Sequence, residues 1–288
     1  MVVFHGSPKP SDIEDGWVPN VWKANGYTSL PEMNGVNVAD HTITDNIKAN
    51  VQRDVPWFSG FGPQAKAAIV CCGGPSLTDS LSEIRWHARN GSRIITVNNA
   101  WRVLVEAGIK PDACILLDAR PENVQFIQGG EHLKWFVASQ CDASIFDGLK
   151  DHDLVMWHSH IGDEIEVIVK PFMETHPICL VPGGGTVGLR AINLCWLSGY
   201  DKIHVYGLDG SYEGDKHHAY AQPLNDGEHV LTVLHGGKSY QCSTWMARQA
   251  EEFQDQWRFL NARKVNIFVH GRGLIPDIAK QLRREARA

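Results

Sequence analysis

From Lys66 onward, short unbroken apolar runs alternate with longer segments in which apolar residues recur every three or four positions. The first run, Ala67–Cys72, is apolar throughout, as a strand buried on both faces requires. A turn follows, and the spacing then predicts a helix from Leu77 to about Arg89. Arg93–Val97, Ala113–Leu117, Lys134–Ala138, Leu154–Trp157, Pro177–Val181 and Lys202–Tyr206 read as further strands, with helices at about Ala100–Ala107 and Thr186–Leu197. His229–Gln241 reads as a hairpin turned at Gly236-Gly237. A long helix is expected from about Thr244 to Asn261, then a last strand, Val265–Val269, and a final helix near Pro276. This repeated order predicts an α/β fold, a mostly parallel sheet with helices on both faces, Rossmann-like in arrangement.

Residues 1–62 differ. They are rich in Pro, Gly, Asn and Asp, carry isolated tryptophans at 17, 22 and 57, and show helical spacing only over Ile43–Val51. They read as an arm packed over the main domain, or as the remnant of a preceding domain, with residues 63–288 forming the α/β domain. The 288 residues suffice for one large domain or two small ones.

Composition narrows the partners. The net charge is −6, without the basic excess that neutralises phosphates in a duplex-binding domain, so nucleic acid is not an expected partner. Arg283, Arg284 and Arg287 read as a solvated helix end. The seven cysteines, several inside apolar runs and none in a CxxC pair, read as reduced, buried thiols rather than zinc ligands. No signal-like N-terminus and no apolar stretch of about 20 residues is present. A cytoplasmic protein without a membrane segment is therefore expected.

In a parallel sheet, ligands bind beyond the carboxyl ends of the strands. Five loops lie there. Gly73-Gly74-Pro75-Ser76 could bring backbone close to a ligand, through positive φ at its glycines, and could offer Ser76 and a helix N-terminus to an anion; a tight turn with a serine cap fits equally. Val97-Asn98-Asn99 could read a base or ribose, or cap the next helix. Asp118 closes an apolar strand, where an aspartate can serve catalysis, a metal, a ribose or a turn. Gly183-Gly184-Gly185-Thr186 suggests a nest of bare amides for phosphate or carboxylate. Finally Tyr206-Gly207-Leu208-Asp209 leads into Tyr212, His217, His218 and Tyr220, where either histidine could act as general base or simply be solvated. The Gly73–Ser76 loop is not a GxGxxG fingerprint and lacks the GK[ST] of a P-loop, and the second strand ends in Val97-Asn98 without an acidic residue, which argues against a dinucleotide dehydrogenase and a P-loop at this loop.

The ordered set Gly74-Pro75-Ser76-Leu77, Val97-Asn98, Pro111-Asp112 with Asp118, Gly183–Gly185 and Tyr206-Gly207-Leu208-Asp209 resembles the domain of Maf-type flagellin glycosyltransferases. It also resembles 6-hydroxymethylpterin diphosphokinase-like proteins and related phage proteins, and is similar to bacterial CMP-sialic-acid sialyltransferases. The resemblance covers about residues 66–270. It implies that Gly73, Gly74, Pro75, Ser76, Asn98, Asp118, Gly183, Gly184, Gly185 and Thr186 hold a nucleotide, with Tyr212 and Tyr220 near its phosphate. Where the sialyltransferases carry asparagine this chain has Gly73, so CMP is not singled out. Near the start, Gly6-Ser7-Pro8-Lys9-Pro10 is similar to the GxxKP segment of retaining glycosyltransferases.

The expected function is transfer of a sugar from a CMP- or UDP-type nucleotide sugar to a hydroxyl acceptor, with His217 or His218 as base and Asp209 beside them. One alternative is a diphosphokinase acting on a pterin-like alcohol, with Mg²⁺ on Asp118 and Asp209. Another is a non-catalytic nucleotide-binding module.

Overall fold

The computed structural model describes residues 38–160, 163–223 and 226–287. Trp17, Trp22 and the Gly6–Pro10 segment lie outside the described residues. The chain begins with α1 (Asp40–Asn50) and then β1 (Ala68–Cys71), followed by α2 (Leu81–Arg89), β2 (Arg93–Val97), α3 (Ala100–Glu106) and β3 (Ala113–Leu116). Next come β4 (Lys134–Ala138), α4 (Ala143–Gly148), β5 (Leu154–Ser159), α5 (Asp163–Met173), β6 (Leu180–Val181), α6 (Val187–Leu197) and β7 (Lys202–Tyr206). A hairpin of β8 (Val230–His235) and β9 (Lys238–Ser243) precedes α7 (Thr244–Asn261), β10 (Asn266–Val269) and α8 (Leu274–Glu285).

Eight strands form one sheet in the order β10-β7-β1-β2-β3-β4-β5-β6, every pair parallel; β8 and β9 pair antiparallel outside it. Side chains of a strand point alternately to opposite faces, and β1 divides accordingly. Ala68 and Val70 join the larger core with residues of α1, α6 and α7, while Ile69 and Cys71 join a second core with Ile84 of α2 and Leu104 of α3. Helices therefore cover both faces, and all four residues of β1 are buried, as its unbroken apolar run required.

Two elements depart from the sequence pattern. The helix expected from Leu77 starts as a 3-10 segment, Pro75–Ser80, and becomes α-helical only at Leu81. The strand expected over Pro177–Val181 shrinks to Leu180–Val181, because Pro177 has no N–H and Cys179 donates its amide to Phe58 O at 2.9 Å instead. Residues 56–58 thus edge onto the sheet: Met156 donates to Pro56 O and Phe58 donates to Met156 O, each at 2.8 Å. Ahead of them, α1 buries Ile43, Ile47 and Asn50, and Asn50 Nδ2 donates to Ser139 O (2.9 Å) and Cys141 O (2.7 Å).

If α1 is part of this core, Ile47→Ala lowers the unfolding free energy by about 2–5 kcal/mol through transfer and cavity costs. Urea unfolding of the two proteins measures this; an unchanged midpoint would show that α1 is dispensable to the core.

Candidate functional site

The sheet order places a switch point at β1. From β1 the chain builds outward through β2 to β6, then returns to lay β7 on the opposite side of β1. Loops leaving β1 and β7 therefore part in opposite directions, and a crevice opens at their carboxyl ends. A cavity of about 230 Å³ lies there. Of the residues singled out in the sequence, Gly73, Gly74, Pro75, Asn98 and Asp118 line it from the first three strand ends. Gly185, Thr186, Asp209, Tyr212, His217, His218 and Tyr220 line it from the others, whereas Ser76, Gly183 and Gly184 do not line it.

Close approach, not positive φ, is what Gly73 and Gly74 supply: neither is in the left-handed region. A Cβ on Gly73 would stand 2.5 Å from Tyr220 Oη and 3.0 Å from His218 Cδ2. One on Gly74 would stand 2.6 Å from Gly207 O and 2.7 Å from Asp209 Oδ2. Ser76 does not cap a helix. Its amide donates to Asp209 Oδ2 at 2.8 Å and its hydroxyl to Oδ1 at 2.5 Å, so Asp209 ties the β1 loop to the β7 loop. Burial pushes the Asp209 carboxyl up to about 6, against the lowering effect of the two bonds from Ser76. Asp209, expected beside the histidines, lines the cavity and also ties the two loops together.

In the triple-glycine loop one amide is engaged internally: Gly185 N donates to Glu252 Oε2 at 2.7 Å. Gly184 O accepts from Arg190 Nε at 2.9 Å, and Pro182 O accepts from Asn193 Nδ2 at 2.8 Å. Gly183 has φ +123° and faces Asn193, and Gly184 packs on Leu189 and Glu252, which accounts for both glycines by packing.

After β3, Asp118 accepts from Arg120 Nε at 2.9 Å and from Nη2 at 2.5 Å. Burial opposes ionisation of Asp118, but these bonds outweigh it and hold the carboxyl below its usual value. Asp118 therefore orients Arg120, which sequence reasoning passed over and which is the one Lys or Arg among the described residues lining the cavity. Asn123, also missed, lines the cavity from the 3-10 turn Pro121–Ile127. It is 2% exposed, and neither its Nδ2 nor its Oδ1 has a hydrogen-bond partner, an arrangement that costs about 1–3 kcal/mol per group. An Asp-x-Arg step at a strand end is a signal that could have been read; a buried unpaired amide is invisible in one dimension.

The excursion after β7 brings the histidines in. Tyr212 N donates to Gln241 O of β9 (2.8 Å), and Ala219 N donates to Gly73 O (2.9 Å), which sets His218 and Tyr220 against the first glycine loop. His217 Nε2 is 2.9 Å from Asp226 Oδ1, and His217 Nδ1 is 2.6 Å from His218 Nδ1. A ring nitrogen facing a carboxylate carries the proton, so His217 Nδ1 accepts and His218 Nδ1 donates. His218 Nε2 is then left with a free lone pair. Burial, with His217 beside it, brings His218 down to about 4. Burial also raises the Tyr212 and Tyr220 hydroxyls. Asn98 has φ +48°, and its carbonyl is held by Cys114 Sγ at 3.2 Å; Asn99, at the N-cap of α3, makes no side-chain cap. Among the described residues no group of three His, Cys, Asp or Glu is arranged to hold a metal, and no helix is long and apolar enough to cross a membrane.

The Asp209 tie carries a signed pH dependence. Its folded carboxyl lies above the ordinary 3.8, so its contribution is complete below that value and is lost as pH rises through about 6. Asp209→Asn should therefore destabilise most near pH 4 and less above pH 6, as read by urea unfolding across that range. A penalty that grows with pH would contradict a raised carboxyl.

None of the curated proteins matches this sequence. Among solved structures, the Maf glycosyltransferase from Magnetospirillum magneticum AMB-1 matches with a TM-score of 0.58 at 16% identity. The match covers 81% of this chain but 37% of that one, and it concerns the fold. The family model described as 6-hydroxymethylpterin diphosphokinase MptE-like matches residues 41–215, from α1 through the β7 loop, with His217 and His218 just beyond. The fold, the switch-point cavity and this match agree, and the chain belongs to the MptE-like family.

Proposed function

We propose that this chain transfers a glycosyl group from a nucleotide-sugar donor of CMP or UDP type to a hydroxyl acceptor. The observation that carries this reading is the chain of contacts Asp226–His217–His218 ending beside Gly73 at the cavity. His218 Nε2 takes the acceptor proton, and the positive charge that develops is shared toward Asp226 through His217. The acceptor oxygen then bonds to the anomeric carbon as the bond from that carbon to the phosphate oxygen breaks. The nucleotide leaves with the electron pair, and Arg120 supplies positive charge in the cavity wall. The Maf neighbour, a glycosyltransferase by its description, supports this direction.

The family description favours a second reading, diphosphoryl transfer from ATP to a pterin-like alcohol. That chemistry uses Mg²⁺ held by carboxylates. The two acids at the strand ends do not fit as they stand, since Asp118 is engaged by Arg120 and Asp209 by Ser76. A module that binds nucleotide without turnover is the third outcome.

Thermal-shift measurements with CMP, UDP-sugars and ATP, each with and without Mg²⁺, separate these. Metal-independent stabilisation by CMP or a UDP-sugar, followed by sugar transfer, is expected. Stabilisation by ATP only with Mg²⁺ favours the kinase, and no response to any nucleotide sinks both. His218→Gln should lower kcat by about 10²–10⁴-fold while nucleotide binding persists. The acid limb of kcat should fall near pH 4, where His218 gains a proton, not near 6.5. Full activity in His218→Gln removes the base assignment.

A further inference from the structure

We infer that Asn123 reads the planar ring of the ligand, pairing its amide with a ring edge that carries a hydrogen-bond donor next to an acceptor. This rests on the reading of the cavity as a nucleotide-type site. Three observations carry it. First, Asn123 lines the cavity, is 2% exposed, and leaves both its donor and its acceptor unpaired. Native proteins seldom leave both ends of a buried amide empty, and a partner that arrives with the ligand removes the penalty.

Second, the turn that carries Asn123 is held rigidly. Trp101 Nε1 donates to Phe126 O at 2.9 Å, and Arg102 Nη2 donates to Gln125 O (2.9 Å) and Gln128 O (2.8 Å). The backbone that carries Asn123 is therefore set before any ligand binds, as a supporting shell should be. Third, its position suits a ring. The wall with Asn98, Asn123 and Phe126 lies at the ends of β2 and β3, and Arg120 shares it. Two strand spacings, about 10 Å, separate β1 from β3, which leaves room for an elongated ligand whose ring lies against the β2–β3 wall. Phe126 supplies an apolar wall beside the amide.

Such a ring edge occurs both on nucleobases and on a pterin, and binding measurements on the full chain distinguish the two. Calorimetry with CMP, UMP, AMP, GMP, ribose 5-phosphate and pterin is run on the wild type and on Asn123→Leu. One nucleotide is expected to bind the wild type more tightly than ribose 5-phosphate, and Asn123→Leu should lose about tenfold for it while ribose 5-phosphate is unchanged. The ligand-free variant should unfold at the same or a higher temperature than wild type, since no bond is lost. Should leucine clash, Asn123→Ala gives the same contrast.

Pterin binding that depends on Asn123, without nucleotide binding, supports the ring-reading role and overturns the nucleotide-sugar reading. Equal affinity of wild type and variant for the base-bearing ligand overturns the role of Asn123 and leaves the nucleotide reading standing. A marked loss of stability in both ligand-free variants assigns the amide a structural bond and overturns the inference. No binding of any probe to the wild type overturns both.

Discussion

The carboxylate of Asp209 spans the gap that the strand order opens between β1 and β7, and the site is organised around it. Parallel strands that run in opposite sequence directions from β1 leave their loops splayed apart, with polar backbone on both sides of the crevice. Asp209 takes the amide and the hydroxyl of Ser76 together, which draws the first glycine loop against the β7 loop. The approach is so close that Gly74 has no room for a Cβ. Gly73, one residue earlier, then meets His218 and Tyr220 from the following excursion. Burying a carboxylate this fully carries a desolvation cost, seen in its raised pKa, and the two hydrogen bonds offset part of it.

A second internal carboxylate repeats the pattern. Glu252 of α7 accepts from Gly185 at the start of α6, as Asp209 accepts from Ser76 in the turn after β1. Amides at such positions attract anions, and here the protein supplies its own. Each glycine loop thereby has one backbone amide engaged by an internal carboxylate. The charge available to a ligand shifts to Arg120, whose guanidinium Asp118 holds in place at the end of β3. The cavity therefore has the ends of β1 and β7 on one side, a cationic and amide-bearing wall beyond β3, and the proposed His217–His218 relay on a third.

That relay depends on distant parts of the chain. His217 and His218 are adjacent in sequence, yet their value lies in Asp226 on one side and Gly73 on the other. The main-chain bond from Ala219 to Gly73 and the anchoring of Tyr212 on β9 set the register of the whole excursion. Low local polarity keeps His218 neutral, the state in which a base can accept a proton.

Much of the architecture was legible in the chain itself. Unbroken apolar runs such as Ala68–Cys71 mark strands covered on both faces, and their alternation with amphipathic segments implies parallel pairing, because both are local consequences of burial and chain connectivity. The carboxyl-end loops could be located for the same reason. What those loops do was decided only in three dimensions. Whether Gly74 serves backbone freedom or close approach, whether Ser76 caps a helix or binds Asp209, and whether Gly185 meets a ligand or Glu252 all depend on partners 67 to 133 residues away. Arg120 and Asn123 escaped notice because their importance comes from exposure to a cavity and from missing partners, properties that exist only once the strands are in order.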